Sequence, residues 1–376
     1  MVLKAGLTQG SLERLTRLLI GSGLLFSVSN CQAGDDDAPV LVAPNGIVRL
    51  PDDGLLISDI ESHRILRWHA STGLTLWGGT GQPGHAGDGG HVSQATFSAP
   101  SDLKLDASRS SLLIADSNNH RIRKVDLHTL KTTTVAGTGR AELSGDGGPA
   151  ADAGLDNPQG LAVDTDGNML VADTYNHVIR RIAVNGTITT VAGSTGGLSG
   201  DGGRATLAQL SLPMAVAFDC DQRSFYISDA GNNRIRRVSA DGIIQTICGV
   251  GKGSDDAGAG FAGDGELASK AKIFSALDLA VLSPNFFYLS DSGNHRIRAV
   301  AHGIIFSIVG NGHPSGAGVA NSEKNNSSAS PFVPAKIAPG PDGSLYFCDR
   351  GNRSIRLLTK DGKIETLPLC LQASRQ

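Results

Sequence analysis

From residue 40 onward, short runs of apolar and β-branched residues alternate with breaks rich in Gly, Asp and Asn. Residues 160–192 show the unit. Residues 160–164 read as a strand, and 165–168 as a turn in which Gly167 supplies a positive φ. Residues 169–172 form a second strand, 173–176 a second turn, and 177–183 a third strand. Asn185-Gly186 is a tight hairpin pair, and 187–192 completes a fourth strand. Short runs with turn chemistry at even spacing predict an all-β chain.

The unit recurs six times. Asp59, Asp116, Asp173, Asp229, Asp291 and Asp349 each open a segment close to D-x-x-N-H-R-I-R, at spacings of 57, 57, 56, 62 and 58 residues. The residue before each Asp is small: Ser58, Ala115, Ala172, Ser228, Ser290 and Cys348. Pro44, Pro100, Pro158, Pro213 and Pro334 stand at the start of a first strand, where no interior ladder bond is lost; Ala276 fills the remaining slot. One four-stranded sheet cannot bury both faces, whereas a closed ring of sheets can. The expected architecture is a six-bladed β-propeller of four-stranded antiparallel blades over residues 40–370. Residues 1–33 form a leader, 34–39 an acidic linker and 371–376 a tail. The first blade is expected to own its first strand near Ile47 and the last its fourth strand near 364–367, so a blade shared by both ends is not evident.

The repeated motif, with the S-G-D-G-G-P-A insert and P-x-G-L-A-V-D, resembles the NHL-repeat β-propeller family, in its long-repeat branch. Two departures stand out. Glu266 replaces the last Gly of G-D-G-G in the fifth unit, and the insert before the sixth unit lacks that motif. The resemblance implies a scaffold that presents one loop-rich face to a protein or a small ligand.

Antiparallel connectivity says which face. The second-to-third-strand turn and the connection to the next blade leave the sheet at the same end. Asp88, Asp146, Asp201 and Asp264 of the inserts are therefore expected on one face with Asn119, Asn176, Asn232 and Asn294, and with His120, His177 and His295. These are the binding-face candidates. The repeat aspartates are expected to be structural, each capping its own turn. The third-strand arginines are expected to pair with neighbouring aspartates, Arg121 or Arg123 with one in the adjoining loop.

Composition narrows function. The net charge of −3 speaks against nucleic-acid binding, and 5% aromatic content weakens a lectin reading. No Walker loop, H-E-x-x-H, G-x-S-x-G or zinc-type Cys spacing occurs. The repeat His lies on the third strand outward, away from the axis, so neither a metal nor another cofactor is expected. A non-catalytic binding module is the leading reading; a hydrolase or lyase with a metal on the central axis is the alternative. Lys4, Arg14 and Arg17 precede the apolar run 18–28, the layout of a cleaved secretory leader, with an organelle transit peptide as alternative. No later segment looks membrane-spanning, and a monomer is expected. Asn325 and Asn326 lie in overlapping N-x-S sequons within a polar insert and are candidate glycan sites.

Overall fold

The structure is a computed structural model that describes residues 39–250, 260–313 and 331–369. The leader, nearly all of the acidic linker, the sequons at Asn325 and Asn326, Cys31, Cys370 and the tail lie outside the described residues.

Blade one comprises β1 (Pro44–Arg49), β2 (Leu55–Asp59), β3 (Arg64–His69) and β4 (Gly73–Gly78). Blade two is β5 (Pro100–Leu105), β6 (Ser111–Asp116), β7 (Arg121–Asp126) and β8 (Thr132–Ala136). Blade three is β9 (Pro158–Val163), β10 (Met169–Asp173), β11 (Val178–Ile182) and β12 (Ile188–Ala192). Blade four is β13 (Pro213–Phe218), β14 (Phe225–Asp229), β15 (Arg234–Val238) and β16 (Ile244–Cys248). Blade five is β17 (Ala276–Ser283), β18 (Phe286–Asp291), β19 (Arg296–Ala301) and β20 (Ile304–Val309). Blade six is β21 (Pro334–Pro339), β22 (Leu345–Asp349), β23 (Ser354–Leu358) and β24 (Ile364–Thr366). Each blade is a sheet in simple sequential order, all neighbours antiparallel. The inner strands β1, β5, β9, β13, β17 and β21 pack side by side around the axis, and β21 returns to β1.

The core lies in the seams between blades. Leu113, Ala115 and Ile122 of blade two pack with Leu161, Met169, Val171 and Ile182 of blade three. Inner strands approach so closely that a Cβ on Gly160 would lie 2.7 Å from Ala215 Cα and Met214 O. The small residue before each repeat Asp uses this proximity: the hydroxyls of Ser228 and Ser290 donate to Ala276 O and Ala335 O of the next blade, each at 2.6 Å.

The four inserts that precede blades two to five also clasp the blade that follows. Gly147 N donates to Ile188 O, and Ile188 N to Gly148 O, at 2.8 and 3.0 Å. Gly202 and Ile244 repeat the contact at the next seam, as do Gly265 and Ile305 one seam further on. Glu266 is accommodated because only the first and third residues of this segment, Gly263 and Gly265, have positive φ. The ring closes by the same device without an insert. Leu74 N, in the position of Ile188, donates to Leu369 O at 2.8 Å. Trp68 Nε1 donates to Pro368 O at 2.7 Å, and Leu367 packs with Leu41, Leu66 and Leu74. Among the described residues no strand is shared between blades.

Candidate functional site

The repeat aspartates are buried, and both oxygens of each accept hydrogen bonds. In Asp173, one oxygen accepts Asp156 N at 2.7 Å; the other accepts Asn176 Nδ2 at 2.8 Å and Arg180 NH1 at 3.5 Å. Asp116, Asp229 and Asp291 repeat this with Asn119 and Arg123, Asn232 and Arg236, and Asn294 and Arg298. Burial pushes the carboxyls of Asp116, Asp173, Asp229, Asp291 and Asp349 up to about 6, against the opposing pull of these Asn, Arg and main-chain partners. The expected capping is corrected at Asp116, Asp173, Asp229 and Asp291. None of these four takes a main-chain N–H from the short helical turn that follows it; each instead accepts one from the segment leading into its blade's first strand. Asp59 does accept a main-chain N–H from its own turn, that of Ser62 at 3.2 Å, and Asp349 accepts that of Asn352.

The insert aspartates sit at the seams. Asp88, Asp146, Asp201 and Asp264 each hold the buried arginine of the following blade, Arg123, Arg180, Arg236 or Arg298, at 2.6–2.8 Å. Arg123 makes this bond; Arg121 donates instead to Thr138 O at 2.8 Å. Asn119, Asn176, Asn232 and Asn294 also donate to the insert carbonyls of Gly84, Glu142, Gly197 and Gly260. The repeat histidines stitch blade to blade. Each adopts positive φ, and Nδ1 of His63, His120, His177 and His295 accepts Ala99 N, Asn157 N, Leu212 N and Val333 N at 3.1–3.3 Å. In blade four, Asn233 Oδ1 takes the same role toward Ser275 N at 2.9 Å.

The axis carries different residues. Two positions after the strand-opening Pro or Ala stand Gly46, Asp102, Gly160, Ala215, Asp278 and Lys336. Lys336 Nζ lies 3.4 Å from Asp278, 3.6 Å from Asp102 and 3.2 Å from Met214 O, all buried; Lys104 adds a second ammonium 3.4 Å from Asp102. Burial raises the Asp278 carboxyl, opposed by Lys336 and Lys104. Among the described residues, no three His, Cys, Asp or Glu side chains are grouped so as to hold a metal ion.

Above this network, on the face where the second-to-third-strand turns emerge, lies a recess of about 290 Å³. It is lined by Ile60, Ala99, Ser101, Asn118, Asn157, Gln159, Tyr175 and Arg350. The opposite side of the mouth is filled by Met214, Ala230, Leu277 and Val333.

The model of the Teneurin NHL domain matches residues 130–199. Mouse (Mus musculus) Teneurin-1 is 29% identical over 298 residues, covering 69% of this chain and 10% of its own length. Human (Homo sapiens) NHL repeat-containing protein 2 is 25% identical over 368 residues, 88% of this chain and 48% of its own. These likenesses support an NHL-repeat β-propeller family for the chain. The chain spans about a tenth of the Teneurin and about half of the second relative. Its fold also resembles virginiamycin B lyase from Staphylococcus aureus, at TM-score 0.51 and 14% identity, covering 91% of this chain and 88% of that one.

The repeat motif of this propeller thus supplies the frame, while its axial mouth is drawn from residues outside the motif. The signal for the mouth was present in the sequence. The inner strand is the first of each repeat, and the slot after the Pro or Ala supplies Ser101 and Gln159 to the polar side of the mouth and Met214 and Leu277 to the apolar side. Two thiols are withdrawn from chemistry, since burial pushes Cys248 up to about 12 and Cys348 well above its ordinary range.

Proposed function

We propose that this NHL-repeat propeller is a non-catalytic binding module that engages a protein or small ligand through the face carrying the axial mouth. The observation behind this is a break in symmetry. The Asp–Asn–Arg frame and the His stitches recur around the ring and are occupied internally, whereas the mouth is polar on one side and apolar on the other. A rigid repeated frame with a non-repeating centre suits recognition. The leader-like first 33 residues would deliver the module to a secretory lumen or the exterior.

The alternative, a hydrolase or lyase with an axial metal, has less support. The Lys336 ammonium stands between Asp102 and Asp278, the place such a cation would take. The solved lyase contributes likeness of fold alone.

Site-specific photocrosslinking tests the module reading. A photoreactive residue at Leu143, in an insert, should capture a partner from the native compartment. One at Val184, in an outer hairpin turn at the other end of the strands, should not. Equal capture from both positions, or stoichiometric metal in the purified protein, would overturn it.

A further inference from the structure

The recess on the polar side of the mouth has an internal direction. Gln159 Nε2 donates to Asn157 Oδ1 at 2.6 Å, and Asn157 Nδ2 donates to Asn118 Oδ1 at 3.1 Å. Each amide thereby fixes the orientation of the next. The relay leaves a donor, Asn118 Nδ2, at one end and an acceptor, Gln159 Oε1, at the other. The Tyr175 side chain borders the same space.

Arg350 supplies the charge. Its slot, directly after the repeat Asp, holds Ile60, Ser117, Thr174, Ala230 and Ser292 in the other blades. There Ser117, Thr174 and Ser292 donate a hydroxyl to the carbonyl that opens the next inner strand, at Pro158, Pro213 and Pro334. The slot thus points at the axial end of the neighbouring blade, and in blade six alone it carries a cation. Burial lowers the Arg350 pKa to about 10, against the pull of Cys348, Glu61 and Asp59, and the side chain is part-buried where it lines the recess. A guanidinium has five N–H donors in a planar fork, enough to serve neighbouring protein groups and still meet a ligand.

Resting on the reading of this face as a binding face, we propose that the recess is a carboxylate-binding site, with Arg350 and Asn118 Nδ2 as donors to the anion. Gln159 Oε1 accepts an N–H or O–H from the atom next to the carboxylate. The volume suits a small hydroxy acid or the last residue of a peptide, near the lower end of ligand pockets. Both sources share one chemistry, a carboxylate with a neighbouring donor.

Calorimetric titration of the whole protein separates them. The probes are sodium lactate, sodium malate, a tripeptide with a free C-terminus and the same tripeptide amidated. Binding of either acid, or of the free but not the amidated peptide, is expected, and the arm that responds identifies the source. Arg350→Met should weaken that binding at least tenfold. It is expected to fold, because Ile60 and Ala230 fill the same slot elsewhere. Asn118→Asp should weaken it as well, by setting a second carboxylate against the ligand. No heat from any probe up to about 10 mM, or unchanged affinity in folded Arg350→Met, would overturn the carboxylate site. Crosslinking from position 143 without carboxylate binding would sink this proposal and leave the module reading standing. Carboxylate binding with equal crosslinking from 143 and 184 would do the reverse.

Discussion

Arg180 is withdrawn from solvent, yet at 2.8 Å it holds the half-exposed carboxylate of Asp146 in the preceding insert. The same guanidinium bonds Gly154 O and Ser144 O, at 3.1 and 3.0 Å, and the buried Asp173 of its own blade. One side chain therefore links a blade to the loop that covers it.

The two ends of this link should differ in weight. Arg180→Met leaves Asp173 buried without its cation and should cost about 3–5 kcal/mol. Asp146→Ala removes a partner already half in water, leaves Arg180 its carbonyls and Asp173, and should cost about 0–1 kcal/mol. Urea unfolding of both variants checks this; equal losses would show that the insert bond matters as much as the buried one.

Closure of the ring should depend on residues 367–369. Ending the chain after Thr366 removes the acceptors for Leu74 N and Trp68 Nε1 together with the packing of Leu367. Such a chain should melt well below the full protein and self-associate through the uncovered edge of β4. Trp68→Phe keeps the backbone contacts but deletes one hydrogen bond and trims a ring packed in the same cluster, and should cost about 1–3 kcal/mol. Melting and light scattering report both, and a truncated chain as stable as the parent would show that blade packing alone closes the ring.

Gly160 and Gly148 should respond in opposite ways. Gly160→Ala drives a Cβ against the backbone of Ala215 and Met214 and should cost about 1–3 kcal/mol. Gly148 has no positive φ, and its counterpart in the fifth unit is Glu266, so Gly148→Glu should change stability by less than about 0.5 kcal/mol. Denaturant midpoints distinguish them; a large loss at Gly148 would mean that the seams are not equivalent.

The His295 stitch should make stability depend on pH. Burial, aided by Arg296, holds its pKa below the ordinary 6.5. The folded state thus resists protonation, and this contribution is complete above pH 6.5 and lost as pH falls from there through the lower folded-state value. His295→Asn keeps an acceptor, as Asn233 does in blade four, and removes the titration. The buried aspartates act in the opposite sense: with carboxyls raised to about 6, their contribution is lost as pH rises through that value. They are common to both proteins, so they cancel in the difference. The melting temperature of the variant relative to the parent should rise from about pH 7.5 to about pH 5.5, and a difference independent of pH would refute the stitch.

The fold was legible because the repeat itself encodes it: turn chemistry at Asn185-Gly186, small residues before each Asp, and Pro opening the first strand of five blades all point to the same sheet. The roles of the repeat polar groups were legible only in part. Asp173 and Arg180 stand seven residues apart, a spacing that says nothing of a carboxylate reaching back to residue 156 or of an insert aspartate joining from the other side. The axial residues escaped notice for a different reason. Asp102, Asp278, Lys336 and Arg350 depart from the repeat, so alignment of the units hides them, and their meeting depends on closure of the ring.

That every sheet is spun from one uninterrupted stretch of chain bears on how the molecule is made. On a ribosome, each blade can settle against its predecessor as soon as its own sixty or so residues have emerged. Until Pro368 and Leu369 arrive, the nascent ring is a horseshoe with two raw ends, and that pair of residues decides whether it becomes a wheel.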